Sequence, residues 1–155
     1  MSHIFGVPGE ENADFVMSLK KSERIRFFLT RHEQGAAFMA EAYGRLLGSP
    51  AVCLGTLGPG ATNLVTGVAN ANMDRVPMLV ITGQGSSARL HKESHQIMDA
   101  VRMFAPVTKW AVRVINPDTI PEIIRKAVRI ARGEKLDIAK PVRHPSIPGS
   151  NQLGE

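Results

Sequence analysis

The sequence predicts an α/β domain, built on a mostly parallel sheet with helices on both faces. Apolar, strand-like runs alternate with helix-like segments along most of the chain, and this alternation is typical of parallel sheets. Short turns containing glycine or proline separate the segments, as is usual between consecutive elements of such folds. Residues 51–54 are apolar at every position, as expected for a strand that helices cover on both faces.

The first half of the chain is predicted to contain three strands and two helices. The strands are expected at residues 4–7, 24–29 and 51–54. A helix over residues 10–19 has apolar positions at helical spacing and is followed by two lysines. A second helix, over residues 34–47, is expected to lie close to its neighbours. Its predicted buried face consists mostly of small residues: Ala36, Ala37, Ala40, Ala42 and Gly44.

The second half is predicted to contain two helices and two strands. A helix is expected over residues 61–72 and a strand over 77–83. Residues 85–94 mix glycine, serine and charged residues without periodicity, so we expect a mobile loop there, and a further strand is predicted within 107–115. The last helix is predicted over residues 120–131. Its aliphatic residues fall on one face: Ile120, Ile123, Ile124, Ala127, Val128 and Ala131.

Length and composition indicate one soluble, globular domain. The chain has 155 residues, of which 43% are hydrophobic and 21% charged. We place the domain at residues 1–139, followed by a loose tail over 140–155 that is rich in proline and glycine. No apolar run approaches the roughly 20 residues needed to span a bilayer, and the start shows no secretory pattern. We therefore expect a cytoplasmic protein without a membrane partner.

Several reactive or charged side chains are expected to have structural and not chemical roles. The single cysteine, Cys53, lies in an apolar run and is expected to be a buried, inert thiol. His91 and His95 have a spacing that could hold a metal on a helix, but no third ligand is evident and we expect no metal site. The net charge is +5. Many basic residues share the last predicted helix without interleaved aromatic residues, which favours a solvated face over nucleic-acid binding: Arg125, Lys126, Arg129 and Arg132.

The candidate site lies where the predicted strands end. Ligands of parallel sheets bind beyond the carboxyl ends of the strands, and the turns at Pro8-Gly9, Glu33, Gly58-Pro59-Gly60 and Gly83-Gln84 fall there. Glu33 admits two interpretations. It is either a helix-start acid that the helix dipole favours, or a carboxyl in an apolar setting that keeps a proton for a ring nitrogen. The Gly-Pro-Gly turn matches neither phosphate-binding fingerprint, so it is a structural turn or a flat surface for a planar heterocycle.

Four motifs occur in a characteristic order along the chain. They are Ile4-Phe5-Gly6-Val7-Pro8-Gly9, Arg31-His32-Glu33-Gln34-Gly35-Ala36, Gly58-Pro59-Gly60-Ala61-Thr62-Asn63-Leu64 and Asp74-Arg75-Val76-Pro77-Met78-Leu79-Val80-Ile81-Thr82-Gly83-Gln84. Over residues 4 to about 133, this order resembles the N-terminal pyrimidine-binding domain of acetolactate synthases, which are thiamine-diphosphate enzymes. Ser94-His95-Gln96, followed by Pro106-Val107-Thr108-Lys109, resembles the acetolactate synthase branch more than the simple decarboxylases.

The resemblance implies roles for particular residues. Glu33 would be the catalytic glutamate that hydrogen-bonds a nitrogen of the aminopyrimidine ring, and Gln96 would face the substrate, a 2-keto acid. The resemblance implies that the parent enzyme decarboxylates pyruvate and joins the remaining fragment to a second 2-keto acid. Five further residues would bind the pyrimidine half of the cofactor: Val7, Pro8, Pro59, Asn63 and Gln84.

The chain also departs from the family pattern. It begins almost at the first strand, and after Gly133 it lacks the expected strand of the type Gly-Pro-Val-x-Leu-x-Leu-Pro-x-Asp, so the domain is expected to be incomplete at both ends. In the family, Mg²⁺ and most of the diphosphate are held by another domain, and the flavin (FAD) of some relatives also binds chiefly elsewhere. The resemblance therefore makes no prediction about flavin.

These departures from the family pattern determine which partners we expect for the chain. We expect the chain alone to be inactive, and to form a dimer or higher homo-oligomer, or to pair with a diphosphate-binding partner. Two alternatives stay open at this point: a subunit of a split 2-keto acid decarboxylase, and a non-catalytic dimerisation scaffold.

Overall fold

Four strands and five helices make up the described part of the chain. The computed structural model describes residues 1–86, 89 and 96–133. The elements are, in chain order, β1 (His3–Gly6), α1 (Ala13–Lys20), β2 (Arg26–Leu29), α2 (Glu33–Leu47), β3 (Ala51–Gly55), α3 (Pro59–Met73), β4 (Met78–Thr82), α4 (Ala100–Phe104) and α5 (Ile120–Arg132). A short 3₁₀ turn over Glu10–Asn12 precedes α1.

The strands form one parallel sheet in the order β2-β1-β3-β4. β3 lies inside the sheet and is buried along its whole length. Phe5 and Cys53 belong to a core that includes α2, α3 and α4, whereas Ile4, Val52 and Leu54 pack with residues of α1 and α5. Successive side chains of a strand point to opposite faces, so these two cores lie on the two sides of the sheet. The predicted fold class is confirmed.

Helices α2 and α3 approach each other closely. A Cβ atom on Gly67 of α3 would lie 2.6 Å from the Cβ of Ala37 of α2, so only glycine fits there. Ala36, Ala37 and Ala40 are completely buried, which confirms the small-residue face predicted for α2. Ala42 is an exception, because it is exposed. The neighbouring Glu41 is buried instead.

The buried Glu41 carboxylate accepts hydrogen bonds from two neighbouring side chains. Arg45 donates to Glu41 Oε1 over 2.6 Å, and Asn70 of α3 donates to Glu41 Oε2 over 2.9 Å. Arg45 also pairs with Asp74 at the end of α3. Hydrogen bonds to Asp74 and to Glu41 both raise the pKa of the Arg45 guanidinium. The network joins the second half of α2 to the end of α3.

The prediction of a strand within residues 107–115 is wrong. Residues 105–107 form a 3₁₀ turn, and 110–115 pair with no strand among the described residues. The Lys126 ammonium of α5 lies 4.6 Å from the centre of the Trp110 ring, so this segment contacts α5. The short helix α4 was not predicted, since only five residues form it.

Some predictions fall on parts of the chain outside the described residues. These are most of the loop at 85–94 with His91 and His95, the end of the proposed domain after Gly133, and the tail over 140–155. Within the described part, no three histidine, cysteine or acidic residues form a group suited to a metal ion. Among the same residues, no helix is both long and apolar enough to cross a membrane.

Candidate functional site

The carboxyl ends of β1, β3 and β4 meet at one edge of the sheet. The backbone N–H of Val7, just after β1, donates to the carbonyl of Leu54. The N–H of Gly83, just after β4, donates to the carbonyl of Gly55 at the end of β3. The turns that were predicted to form the site therefore do lie side by side.

Glu33 is the first residue of α2, and its side chain is buried between α2 and α3. The preceding residue, His32, caps the helix, because its Nδ1 accepts a hydrogen bond from the N–H of Gln34 over 3.2 Å. Only 8% of the surface of Glu33 is exposed. Asn63 Nδ2 donates to Glu33 Oε2 over 3.0 Å. Two of the predicted site residues are thus in direct contact.

The second carboxylate oxygen, Glu33 Oε1, lies beside the Gly-Pro-Gly turn. Pro59 is the first residue of α3, and Gly58 before it has a φ of 57°, a conformation that favours glycine. A Cβ on Gly60 would lie 3.2 Å from Glu33 Oε1 and 2.8 Å from Thr56 Cγ2. No hydrogen-bond donor of the described residues reaches Oε1. The glycine therefore lets the start of α3 lie close to the Glu33 carboxylate and to Thr56.

The other predicted site residues lie around the Gly-Pro-Gly turn and differ in how exposed they are. Gln96 is exposed, and its backbone packs against Gly58, where an added Cβ would lie 2.9 Å from the Gln96 carbonyl oxygen. Val7 and Gln84 are half-buried, and Pro8 is exposed. Gln84 also lines an apolar groove along β4. Among the described contacts, no hydrogen bond joins Gln84 or Val7 to Glu33.

Two polar residues near the site, Asn12 and Thr56, were not assigned to it by the sequence analysis. Asn12 is buried, accepts a hydrogen bond from the N–H of Gly9 over 2.8 Å, and donates to the carbonyl of Val7. It thereby fixes the turn after β1. Thr56 donates to Glu11 over 2.8 Å and links that turn to the end of β3. An asparagine three residues after a Pro-Gly turn was the available signal, since its side chain readily satisfies nearby backbone groups.

Cys53 takes no part in this site. It is fully buried in β3, and burial raises the pKa of its thiol to about 12. A thiol that stays protonated is a poor nucleophile. The prediction of a buried Cys53 is confirmed.

Comparison with known proteins decides the family. Residues 1–103 match the family described as thiamine pyrophosphate enzyme, N-terminal TPP binding domain. The chain belongs to the thiamine pyrophosphate enzyme family. Thiamine pyrophosphate is another name for thiamine diphosphate, so the family suggested by the four motifs is confirmed.

The relatives of this thiamine pyrophosphate enzyme domain include several synthases. An acetolactate synthase of Arthrospira platensis is 39% identical over 155 residues, covering 95% of this chain and 27% of that protein. An acetolactate synthase of Bacillus subtilis is 42% identical over 131 residues, covering 84% of this chain and 23% of that protein. A probable 2-ketoarginine decarboxylase of Pseudomonas aeruginosa is 40% identical over 148 residues, covering 94% of this chain and 26% of that protein. The chain spans about a quarter of the length of these curated relatives.

Proposed function

We propose that this thiamine pyrophosphate enzyme domain supplies the pyrimidine half of a cofactor site, with Glu33 as its acid. The observation that supports the proposal most directly is the environment of the Glu33 carboxyl group. One oxygen is held by Asn63, and the other lies beside Gly60 without a donor from the described residues. Such a carboxyl can donate its proton to a ring nitrogen or accept one from it.

The residues around Glu33 suit a flat, uncharged ring. Gly60 brings the start of α3 close to Glu33, because any side chain at position 60 would contact Glu33 or Thr56. The rigid start of α3 at Pro59 offers an apolar surface, and Val7 and Pro8 come from the neighbouring turn. When bound, thiamine diphosphate would supply the electron sink that decarboxylation of a 2-keto acid requires. In this proposal Glu33 moves the proton, Asn63 orients Glu33, and Gln96 and Gln84 lie towards the substrate side of the site.

The diphosphate and Mg²⁺ are proposed to be held by a different region or partner chain. The described residues contain no group of acidic or histidine side chains suited to a metal ion. The chain also covers only about a quarter of each relative, so most of a relative's length has no counterpart here. We therefore propose that the 155-residue chain carries part of an active site and does not turn over by itself.

The proposed reaction is decarboxylation of pyruvate followed by joining of the product to a second 2-keto acid. The acetolactate synthases among the relatives support it. A split 2-keto acid decarboxylase is the second candidate, because the relative named as a probable 2-ketoarginine decarboxylase has a similar identity. Both reactions would use Glu33 in the same way, and they differ in whether a second 2-keto acid is consumed.

Self-association is proposed through the outer surfaces of α2 and α3. Phe38 and Met39 of α2 are 39% and 52% exposed, and Met73 of α3 is 72% exposed. Large apolar side chains that face water in such number favour burial against another subunit. We propose a dimer or higher oligomer of this chain, or a pair with a diphosphate-binding chain. The same surfaces would serve a non-catalytic scaffold, which the following experiment separates.

The test is co-expression of this chain with the part of an acetolactate synthase that has no counterpart here. The chain alone, with pyruvate, thiamine diphosphate and Mg²⁺, should give no acetolactate, whereas the pair should give some. Glu33→Gln should abolish that activity, and Glu23→Gln, at an exposed acid near β2, should leave it unchanged. Acetolactate from the chain alone, or activity that survives Glu33→Gln, would contradict the proposal. Carbon dioxide release without acetolactate would favour the decarboxylase.

A further inference from the structure

Thr56, the residue after β3, packs between the turn that follows β1 and the start of α3. A Cβ atom on Gly9, in the turn after β1, would lie 2.6 Å from the Cβ of Thr56 and 2.7 Å from its Oγ1. A Cβ atom on Gly60, at the start of α3, would lie 2.8 Å from Thr56 Cγ2. Both elements therefore lie directly against the Thr56 side chain.

A hydrogen bond ties Thr56 to the chain that follows β1. The Thr56 hydroxyl donates to Glu11 Oε2 over 2.8 Å. Glu11 belongs to the 3₁₀ turn before α1, and a Cβ on Gly83, just after β4, would lie 3.1 Å from the Glu11 Cβ. No lysine or arginine of the described residues forms an ion pair with Glu11. Thr56 and Glu11 thus join the ends of β1, β3 and β4 through two side chains.

This contact lies near the surface of the domain. Thr56 is half-buried and Glu11 is exposed. Because water can replace either partner, the hydrogen bond adds little to the free energy of unfolding. It nevertheless fixes the relative positions of three strand ends, at the edge where parallel sheets bind their ligands. Its effect is therefore on the geometry of this edge more than on the stability of the fold.

The contact also connects the two sides of the proposed ring site. On one side, Val7 lies in the turn after β1, which Glu11 ties to Thr56. On the other side, Glu33 Oε1 lies 3.2 Å from an added Cβ on Gly60, the same glycine that packs against Thr56. Without the hydrogen bond the turn is free to move relative to α3, and the distance between the two sides changes.

We propose that Thr56 and Glu11 act together as positioning residues for the pyrimidine ring of the cofactor. Their hydrogen bond sets how far the turn after β1 lies from the start of α3, and with it the width that a flat ring finds between Val7 and Glu33. The inference rests on the proposed function, because it concerns the same site. It gives neither Thr56 nor Glu11 a contact with the cofactor.

The first experiment measures amide hydrogen exchange in the chain alone. The Val7 N–H donates to the Leu54 carbonyl, so its exchange reports whether the turn stays against β3. Thr56→Val keeps the shape of the side chain but removes the donor, and the Val7 amide should exchange roughly 10-fold faster. Glu11→Ala should have the same effect, whereas Glu10→Ala, at the neighbouring exposed acid, should have none. Unchanged exchange in Thr56→Val would overturn the proposal.

The second experiment uses the co-expressed pair and separates the KM for thiamine diphosphate from kcat. Thr56→Val and Glu11→Ala should each raise that KM by roughly 10-fold, because the ring is held less precisely. The double variant should be no worse than either single variant, since both remove the same hydrogen bond. Glu11→Gln retains an oxygen that accepts from Thr56, and it should keep most of the native cofactor affinity. The Tm of these variants should change little.

The outcomes separate this inference from the proposed function. An active pair whose cofactor KM is the same in Thr56→Val as in the native chain would overturn this inference alone. Additive effects of the two substitutions would also overturn it, because they would mean independent roles. An equal rise in KM for Glu10→Ala would show a general effect of charge in the turn and would overturn it as well. A native pair without activity would overturn the proposed function and this inference with it.

Discussion

Asn63 of α3 donates a hydrogen bond to the buried carboxylate of Glu33, the first residue of α2, over 3.0 Å. The two residues are 30 positions apart in the sequence, and the contact forms only because α2 and α3 pack side by side. The hydrogen bond holds one oxygen of Glu33, and the other oxygen lies beside Gly60. Four predictions test this arrangement and the core that supports it.

Removal of the Asn63 side-chain amide should lower the free energy of unfolding. Asn63→Ala leaves Glu33 Oε2 without its donor, so we expect the free energy of unfolding to fall by about 1–2 kcal/mol. Chemical denaturation measures this loss. Thr66→Ala, at an exposed position on the same helix, is the control and should change little. Equal effects from both variants would mean that the Asn63 contact contributes nothing.

A methyl group at position 60 should clash with Thr56 and crowd Glu33. In Gly60→Ala the new Cβ would lie 2.8 Å from Thr56 Cγ2 and 3.2 Å from Glu33 Oε1, so we expect a destabilisation of about 1–3 kcal/mol. Gly35→Ala is the matched control, because nothing lies within 4 Å of its added Cβ. That variant should raise stability by up to about 1 kcal/mol, since alanine favours the helix. Two variants that shift stability in the same direction would contradict this account.

Gly67 should set the distance between α2 and α3. An alanine there would place its Cβ 2.6 Å from the Cβ of Ala37, which forces the helices apart. We expect Gly67→Ala to lower the free energy of unfolding by about 1–3 kcal/mol. It should also weaken the Asn63–Glu33 contact, so Asn63→Ala should cost less in the Gly67→Ala background than in the native chain. A double-mutant cycle measures that coupling, and strict additivity would exclude it.

Cys53 should make stability fall at alkaline pH. Burial raises the pKa of the folded-state thiol from 9.0 to about 12, so between these values the unfolded chain releases a proton that the folded chain retains. The free energy of unfolding should therefore fall as pH rises above 9, by up to about 1.4 kcal/mol per pH unit. Relative to the native chain, Cys53→Ala should lack this part of the slope. The native thiol should also resist alkylation at pH 8 until the chain unfolds, and rapid labelling of folded protein would count against a buried thiol.

Much of the fold could be predicted because its signals are local. The uninterrupted apolar run of β3 and the small residues of α2 each predicted a buried element, and both are buried. The segment at 107–115 was predicted wrongly for a related reason. Its apolar residues suit a strand, but strand formation also needs a neighbouring strand, and residues 110–115 pair with none among the described residues.

The location of the candidate site could be predicted from the sequence, whereas most of its side-chain contacts could not. The turns after β1, β3 and β4 meet as expected, because the carboxyl ends of parallel strands lie at one edge. The hydrogen bonds of the buried Glu41 with Arg45 and Asn70 were not predicted. An acidic residue between two alanines gives no local sign that it is buried. Its burial depends on which residue of α3 lies opposite.

The class of fold, the edge at which the site lies and the family could all be predicted from the sequence, because periodicity, turn residues and motif order can be recognised in the chain without knowledge of its packing. That Asn63 holds Glu33, that Gly60 lets α3 approach the second oxygen, and that Arg113 Nε meets no acceptor among the described residues could be seen only once the domain was folded. Those relationships depend on how far apart packed helices lie and on which residues face each other across them. Such distances arise from the packing of the whole domain, and no single segment encodes them.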